Sequence, residues 1–229
     1  MTESDLLFDL PDLVIRQLVV SDMANNVYLL TSKRTGAQIL IDAADDPVAI
    51  DELVQSAASD SEAPQKVVFI ATTHSHWDHV RALAAVAEKT GAPTAAGREE
   101  ATAIESQTGV VTDRLLDHGD KLEVDGMRLK IVHLRGHTPG SIAYVLEPTA
   151  KEPSDETVPT IIFSGDSLFP GGVGNTNNDP ERFASLLNDV EERLFAIYPD
   201  GSAVLPGHGV GTTLGAERPS LPQWRERGW

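Results

Sequence analysis

The chain has 229 residues, a formal net charge of −17 and no cysteine. The missing thiols exclude disulfides, thiolate catalysis, Cys-ligated zinc and iron–sulfur clusters, so any metal must be held by imidazole and carboxylate. The acidity argues against a nucleic-acid partner, whose phosphates it would repel. The opening MTESDLLFDLPDL has neither a basic n-region nor a long apolar h-region, and no apolar run approaches the ~20 residues of a membrane helix. The expectation is a cytoplasmic protein with no membrane partner, acting on a small molecule. Its length suits one α/β domain over residues 1–229.

Residues 13–20 and 26–32 are rich in Val, Leu and Ile and predict two strands about a turn at 21–25. A third strand over 37–41 ends on Asp42. Val48, Ile50, Leu53 and Val54 then recur at helical spacing, with Asp46 placed to cap a helix over 47–58 whose first residue is Pro47. The apolar run 66–70 predicts a strand buried on both faces. It leads straight into ATTHSHWDHV and a helix over 80–89 that stops at Gly91. A further helix is expected over 97–106. Strands over 121–124 and 127–134 flank the turn Asp125–Gly126, and Met127, Leu129 and Ile131 alternate with Arg128 and Lys130.

Strands follow over 141–146 and 160–163, separated by the acidic, proline-rich EPTAKEPSDETVP, whose composition suits a solvated loop. A helix over 180–198 carries the strongest pattern. Asp179 stands as its cap, Pro180 at its first position, and Phe183, Leu186, Leu187, Val190, Leu194 and Phe195 on one stripe. A last strand over 202–205 runs into PGHG. Strands alternating with helices in two similar halves are compatible with a doubled α/β architecture.

The chemistry concentrates in loops just past strands. His74 and His76, two apart on extended chain, project to one side and can share an ion. Asp78 and His79, after the chain turns, can reach a second ion close by. His137 lies in RGHTPGS, Asp166 in FSGDSLF and His208 in PGHG, each at the end of an element. The set predicts a two-metal centre: His74, His76 and His137 on one ion, Asp78, His79 and His208 on the other, and Asp166 bridging. Asp78 doubles as the candidate catalytic carboxylate. Two divalent ions, zinc first with iron or manganese as alternatives, could hold a hydroxide between them at neutral pH and polarise a substrate oxygen. Trp77 is a candidate wall of the substrate site. His118 and His133 are not needed and are assigned no function.

HSHWDH resembles the His-x-His-x-Asp-His motif of the metallo-β-lactamase superfamily. GHTPGS, SGDSLF and PGHG are similar to its later motifs in order and spacing, and ILIDA with Asp42 to its first. This resemblance covers nearly the whole chain and implies an αββα sandwich with metals at one edge. The absence of Cys and the presence of Asp166 set the chain apart from the main β-lactamase subclasses.

SGDSLFPGGVGNTNN and LPGHGVGTTLGAE are more similar to glyoxalase II-like thioester hydrolases. That likeness implies hydrolysis of a thioester or related acyl ester by a metal-bridging hydroxide. Glyoxalase II also carries a helical C-terminal domain that grips its substrate, whereas only residues 209–229 follow His208, so no separate substrate-binding domain is expected. Asn175 and Asn177 stand where relatives often have Arg and Asp, so Asn175 is a candidate for a different substrate grip. A depression lined by Trp77, residues 170–178 and residues 219–229 is the expected substrate wall. The same resemblance leaves open a persulfide dioxygenase with one iron on two His and a carboxylate, or a lactonase.

Overall fold

The computed structural model describes residues 4–147 and 158–228. The acidic loop predicted between the strands at 141–146 and 160–163 lies mostly outside the described residues. The N-terminal half begins with the hairpin-linked strands β1 (Asp5–Asp9), β2 (Leu13–Val20), β3 (Asn25–Ser32) and β4 (Ala37–Ile41). Three strand–helix–strand crossovers then add β5 (Lys66–Thr72), β6 (Thr94–Gly97) and β7 (Arg114–Leu116) in parallel. The helices of those crossovers are α1 (Pro47–Ser56), α2 (Trp77–Val80), α3 (Leu83–Thr90) and α4 (Ala101–Thr108). The seven strands lie in sequence order.

The second half contributes β8 (Lys121–Val124), β9 (Met127–His133), β10 (Ile142–Leu146) and β11 (Ile161–Gly165), with a small hairpin of β12 (Leu168–Phe169) and β13 (Gly172–Val173). Helix α5 (Pro180–Val190) then crosses to β14 (Ala203–Pro206), parallel to β11, and β15 (Thr212–Thr213), α6 (Leu214–Glu217) and α7 (Leu221–Arg227) follow. The second sheet has the order β15-β14-β11-β10-β9-β8.

Strand alternation sorts the side chains into three cores, and the three cores define four layers. Ile39, Ile41, Ile131, Ile142, Tyr144 and Phe163 meet between the sheets. Leu40, Ile70, Ile50, Leu53, Leu83, Val86 and Ile104 fill the space between the first sheet and its helices. Ala143, Val145, Ile162, Leu186, Leu187, Val190 and Trp224 do the same on the outer face of the second sheet. The order helix, sheet, sheet, helix is the expected αββα sandwich.

The departures from the sequence reading are local and each has a cause. The helix predicted over 80–89 is two pieces, because the Ala82 N–H leaves the helical ladder and donates to Ala43 O at 3.1 Å. The first piece starts at Trp77, so Asp78 and His79 sit in a helical turn rather than before one. The helix predicted from residue 97 begins later, because Gly97 pairs with Leu116 as the end of β6; a 3-10 turn then precedes α4. The helix predicted over 180–198 widens after Val190 into a π turn, Glu191–Phe195, in which Ala196 N donates to Glu191 O. The wider turn puts both Leu194 and Phe195 in the core. Strands β1, β6, β7, β12, β13 and β15 were not visible in the pattern. TAAG, for example, becomes a strand only because β5 and β7 flank it.

Asp179 caps α5 as expected, its Oδ1 accepting from Glu181 N and Arg182 N. Asp179→Ala is expected to lower the unfolding free energy by about 1 kcal/mol, read from the urea midpoint. On the inner face of the same helix, Asp189 is nearly buried and accepts from Arg135 N, Nε and Nη2 at 2.7–2.9 Å. Burial alone would raise the Asp189 carboxyl, but the bonds from Arg135, helped by Arg193, outweigh it and hold it below the usual range. A depressed folded-state pKa adds stability above the unfolded value of ~3.9, and that stability is lost as pH falls through the folded value. Asp189→Asn should therefore lower the Tm at neutral pH, with the gap to wild type closing in melts run below about pH 4.

Candidate metal centre

Parallel strands place chemistry at their carboxyl ends, because the crossover loops gather there. Asp42 follows β4, the His74–His79 segment follows β5, Asp166 follows β11 and His208 follows β14. His137 arrives on the β9–β10 connection. The two sheets are tied at this edge by Ile142 N donating to Thr73 O, by Asn26 N donating to Gly207 O, and by a bridge between Asn25 and His208.

All seven predicted ligand side chains converge there. His74, His76 and His137 form one group, Asp78, His79 and His208 a second, and His74, His79 and Asp166 a third that joins them, with the ligand atoms of each within 4.8 Å of one another. His74 Nε2 lies 3.1 Å from His76 Nδ1, and His79 Nε2 lies 3.2 Å from His208 Nε2. Asp166 stands between the groups, 3.5 Å from His79 Nε2, 3.5 Å from His208 Nε2 and 3.6 Å from His137 Nε2. Tetrahedral N/O ligands about 2.0–2.1 Å from one cation are roughly 3.3–3.4 Å apart, so these spacings suit a shared ion. His137 Nε2 and Asp166 Oδ1 are buried without a hydrogen-bond partner, which is costly for polar atoms unless something else meets them. The residues therefore fit divalent metal.

The far nitrogens of the rings are held by fixed groups. Thr73 Oγ1 donates to Asp42 Oδ2 at 2.8 Å, which leaves its lone pairs to accept from His74 Nδ1 at 3.0 Å. His79 Nδ1 donates to the same Asp42 oxygen at 3.0 Å, and Thr73 N donates to the other at 2.7 Å. His137 Nδ1 donates to Asn175 O at 2.7 Å and His208 Nδ1 to Met23 O at 2.9 Å. Protons assigned in this way leave four Nε2 lone pairs aimed inward. His76 is the exception and presents Nδ1 to the cluster.

Burial pushes the His74, His76 and His137 imidazoles below their ordinary value, the neutral form that a metal needs. Burial would also lower His79, but the neighbouring Asp166 and Asp42 carboxylates outweigh it and push it up to about 10. Hydrogen bonds to Asp166 and Asp78 push His208 to about 10. For Asp78 and Asp166, burial is opposed and outweighed, by His208 and Asn25 at Asp78 and by His208 and His79 at Asp166. Both carboxyls lie far below the usual range. Without a metal, protons on two imidazoles neutralise this half of the cluster. A divalent cation supplies the same positive charge in one atom.

Two features escaped the sequence reading. Asn25, fully buried, donates from Nδ2 to Asp78 Oδ2 at 3.0 Å. Asn26 Nδ2 donates to Pro206 O and Gly209 O, and Tyr28 Oη to Pro206 O, so the start of β3 clamps the PGHG loop. The polar NN pair opening an otherwise apolar strand was the available signal. Trp77 is half exposed at the rim, with the Arg81 guanidinium 3.5 Å from its ring centroid and itself paired to Asp45. Asn175 supports His137 through its backbone carbonyl, and its side-chain Oδ1 accepts from Asn177 N. Of the expected C-terminal wall, Trp224 is buried against Phe195 and belongs to the core, while Arg227 Nη2 reaches Gly171 O. His118 and His133 stand apart from the cluster, His133 N donating to His118 Nδ1.

The chain belongs to the metallo-beta-lactamase superfamily, whose family model matches residues 20–149, more than half of the sequence. The superfamily comprises metal-dependent hydrolases. A hydroxyacylglutathione hydrolase of Rhizobium meliloti is 31% identical over 180 residues, which cover 79% of this chain and 60% of that protein. Among solved structures, ETHE1 from Myxococcus xanthus superposes with a TM-score of 0.74 at 25% identity, covering 93% of this chain and 84% of the other. TTHA1623 in a di-iron-bound form superposes with a TM-score of 0.68 at 27% identity, covering 91% and 99%.

Gly207 touches the centre most closely: a Cβ there would collide with Asp166 Oδ1 and lie 2.6 Å from His79 Cε1. Gly207→Ala is expected to weaken metal binding at least tenfold, in the range known for disturbed ligand support, as measured by chelator competition. His118→Ala should leave both metal binding and melting within the scatter of ordinary surface changes.

Proposed function

We propose that the protein is a dinuclear metal hydrolase of a thioester or related acyl ester. The observation that carries this reading is the joining of two three-ligand groups through one carboxylate, Asp166, in a chain with no cysteine. The Rhizobium relative, a hydroxyacylglutathione hydrolase, supports the thioester class, and the di-iron form of TTHA1623 supports a centre for two ions. His74, His76 and His137 would hold one ion, Asp78, His79 and His208 the other, and Asp166 both. Cations so held lower the pKa of water towards ~7 and polarise a carbonyl, which supplies the nucleophile and the electrophile together.

The chain's own part is orientation. Asp42 and Thr73 fix the rings of His74 and His79, while Asn25 holds Asp78 Oδ2 on the cluster. Asp78 is the proposed catalytic carboxylate, because it would hold the metal directly. In the balanced reaction the oxygen of water joins the acyl carbon and the C–S bond breaks. The products are a carboxylic acid and a thiol. Trp77 and the side-chain amide of Asn175 are proposed as substrate contacts, because both are exposed beside the ligand loops.

Metal content per chain, followed by a panel of acyl thioesters, tests the proposal. Two equivalents of zinc, iron or manganese with thioester turnover are expected. One equivalent of iron with oxygen uptake on a thiol persulfide would overturn it. Asp166→Ala should lower kcat/KM by roughly two to three orders of magnitude, the loss typical of removing one electrostatic stabiliser.

A further inference from the structure

Glu100 is fully buried between β6 and α4, and among the described residues no cation pairs with it. A lone buried carboxylate is costly to desolvate, so its two oxygens need strong partners. Oε2 accepts from Ser75 N at 2.7 Å and Oε1 from Gly140 N at 2.6 Å. Ser75 lies between His74 and His76, and Gly140 closes the turn that begins at His137. One side chain thus joins the two loops that carry the three-imidazole group. Seven residues further along, on the same face of α4, Gln107 Nε2 donates to Ser75 O at 2.7 Å, so the Ser75 residue is held on both its backbone groups.

Packing leaves this contact little slack. A Cβ on Gly140 would lie 2.8 Å from Glu100 Oε1 and 2.9 Å from Glu100 N, and a Cβ on Gly97 would collide with Gly140 O. The corner formed by the end of β6 and the start of α4 is therefore pressed against the His137 turn. The two N–H groups meet different oxygens of the carboxylate, so an amide in the same place would turn its NH2 against one of the donors.

We propose that Glu100 is a positioning residue that latches the His74–His76 loop to the His137 turn and so preforms the three-imidazole half of the centre. The Asp78, His79 and His208 half makes no contact with Glu100 and is supported by Asp42, Asn25 and the Met23 carbonyl, Asp42 reaching His74 of the first half only through Thr73. The inference rests on the metal-ligand reading above, and it predicts that the latch acts on one of the two ions.

The test is Co2+ titration of metal-free wild type, Glu100→Gln and Gln107→Ala, followed by visible absorption. His137→Ala and His208→Ala supply the reference spectra of the two halves. Glu100→Gln is expected to weaken the equivalent that His137→Ala removes by about ten- to a hundredfold, leaving the other within about twofold. Gln107→Ala, at a residue exposed at the end of that face, should weaken the same equivalent about fivefold, the effect of one hydrogen bond. Equal weakening of both equivalents, or wild-type affinity for both, would overturn the latch. If circular dichroism shows Glu100→Gln unfolded, Gln107→Ala decides by the same criteria. Because the readout is metal binding and not turnover, failure of the latch is told apart from failure of the proposed hydrolysis.

Discussion

The buried carboxylate of Asp42 is the interaction on which the centre depends. Its two oxygens collect the Thr73 N–H, the Thr73 hydroxyl and the His79 ring, and through the hydroxyl they reach His74 as well. One residue at the end of β4 thereby sets the rotation and tautomer of two imidazoles that belong to different ligand groups. Asp42 also has a positive φ of 57°, an uncommon conformation for a residue with a side chain. The backbone turn and the carboxylate contacts occur together, so the chain leaves the strand in the direction that brings the carboxylate under the His cluster.

Around that anchor the architecture divides the work between its two halves. The first sheet contributes Asp42, His74, His76, Asp78 and His79 from the ends of adjacent parallel strands. The second contributes His137, Asp166 and His208. Neither half alone closes a ligand group, since His137 completes the first, His208 the second and Asp166 the third. The inter-sheet core of Ile, Leu, Tyr and Phe side chains therefore bears directly on the chemistry, because a shift between the sheets changes the distances among ligands. The polar ties at the edge, Asn26 to Gly207 and Ile142 to Thr73, restrict that shift where it matters.

The electrostatics of the cluster suit a divalent cation. Asp78 and Asp166 are held far below the range in which a carboxyl would take up a proton at neutral pH. The imidazoles nearest them are either neutral through burial or locked in charged pairs. Ionised carboxylates and neutral imidazoles are the forms a metal takes up, and a bound cation would displace the protons of the charged imidazoles.

Much of this was legible in the sequence. HSHWDH, GHTPGS, SGDSLF and PGHG carry ligand types at loop positions, and apolar runs before them fixed which strands lead in. The cap and stripe of α5 were visible for the same reason, since they depend on residues close in the chain. Glu100 and the clamp from Tyr28 were not legible, and the polar pair at Asn25 marked a position without its partner, because each acts on a group far away in sequence. Short strands such as TAAG and the break between α2 and α3 belong to the same class. Local spacing determined which residues could be ligands and which segments could be helices or strands. Only the packing of one sheet on the other decided which candidate ligands come within reach of one another, because that depends on distances across the sheets that no spacing along the chain records.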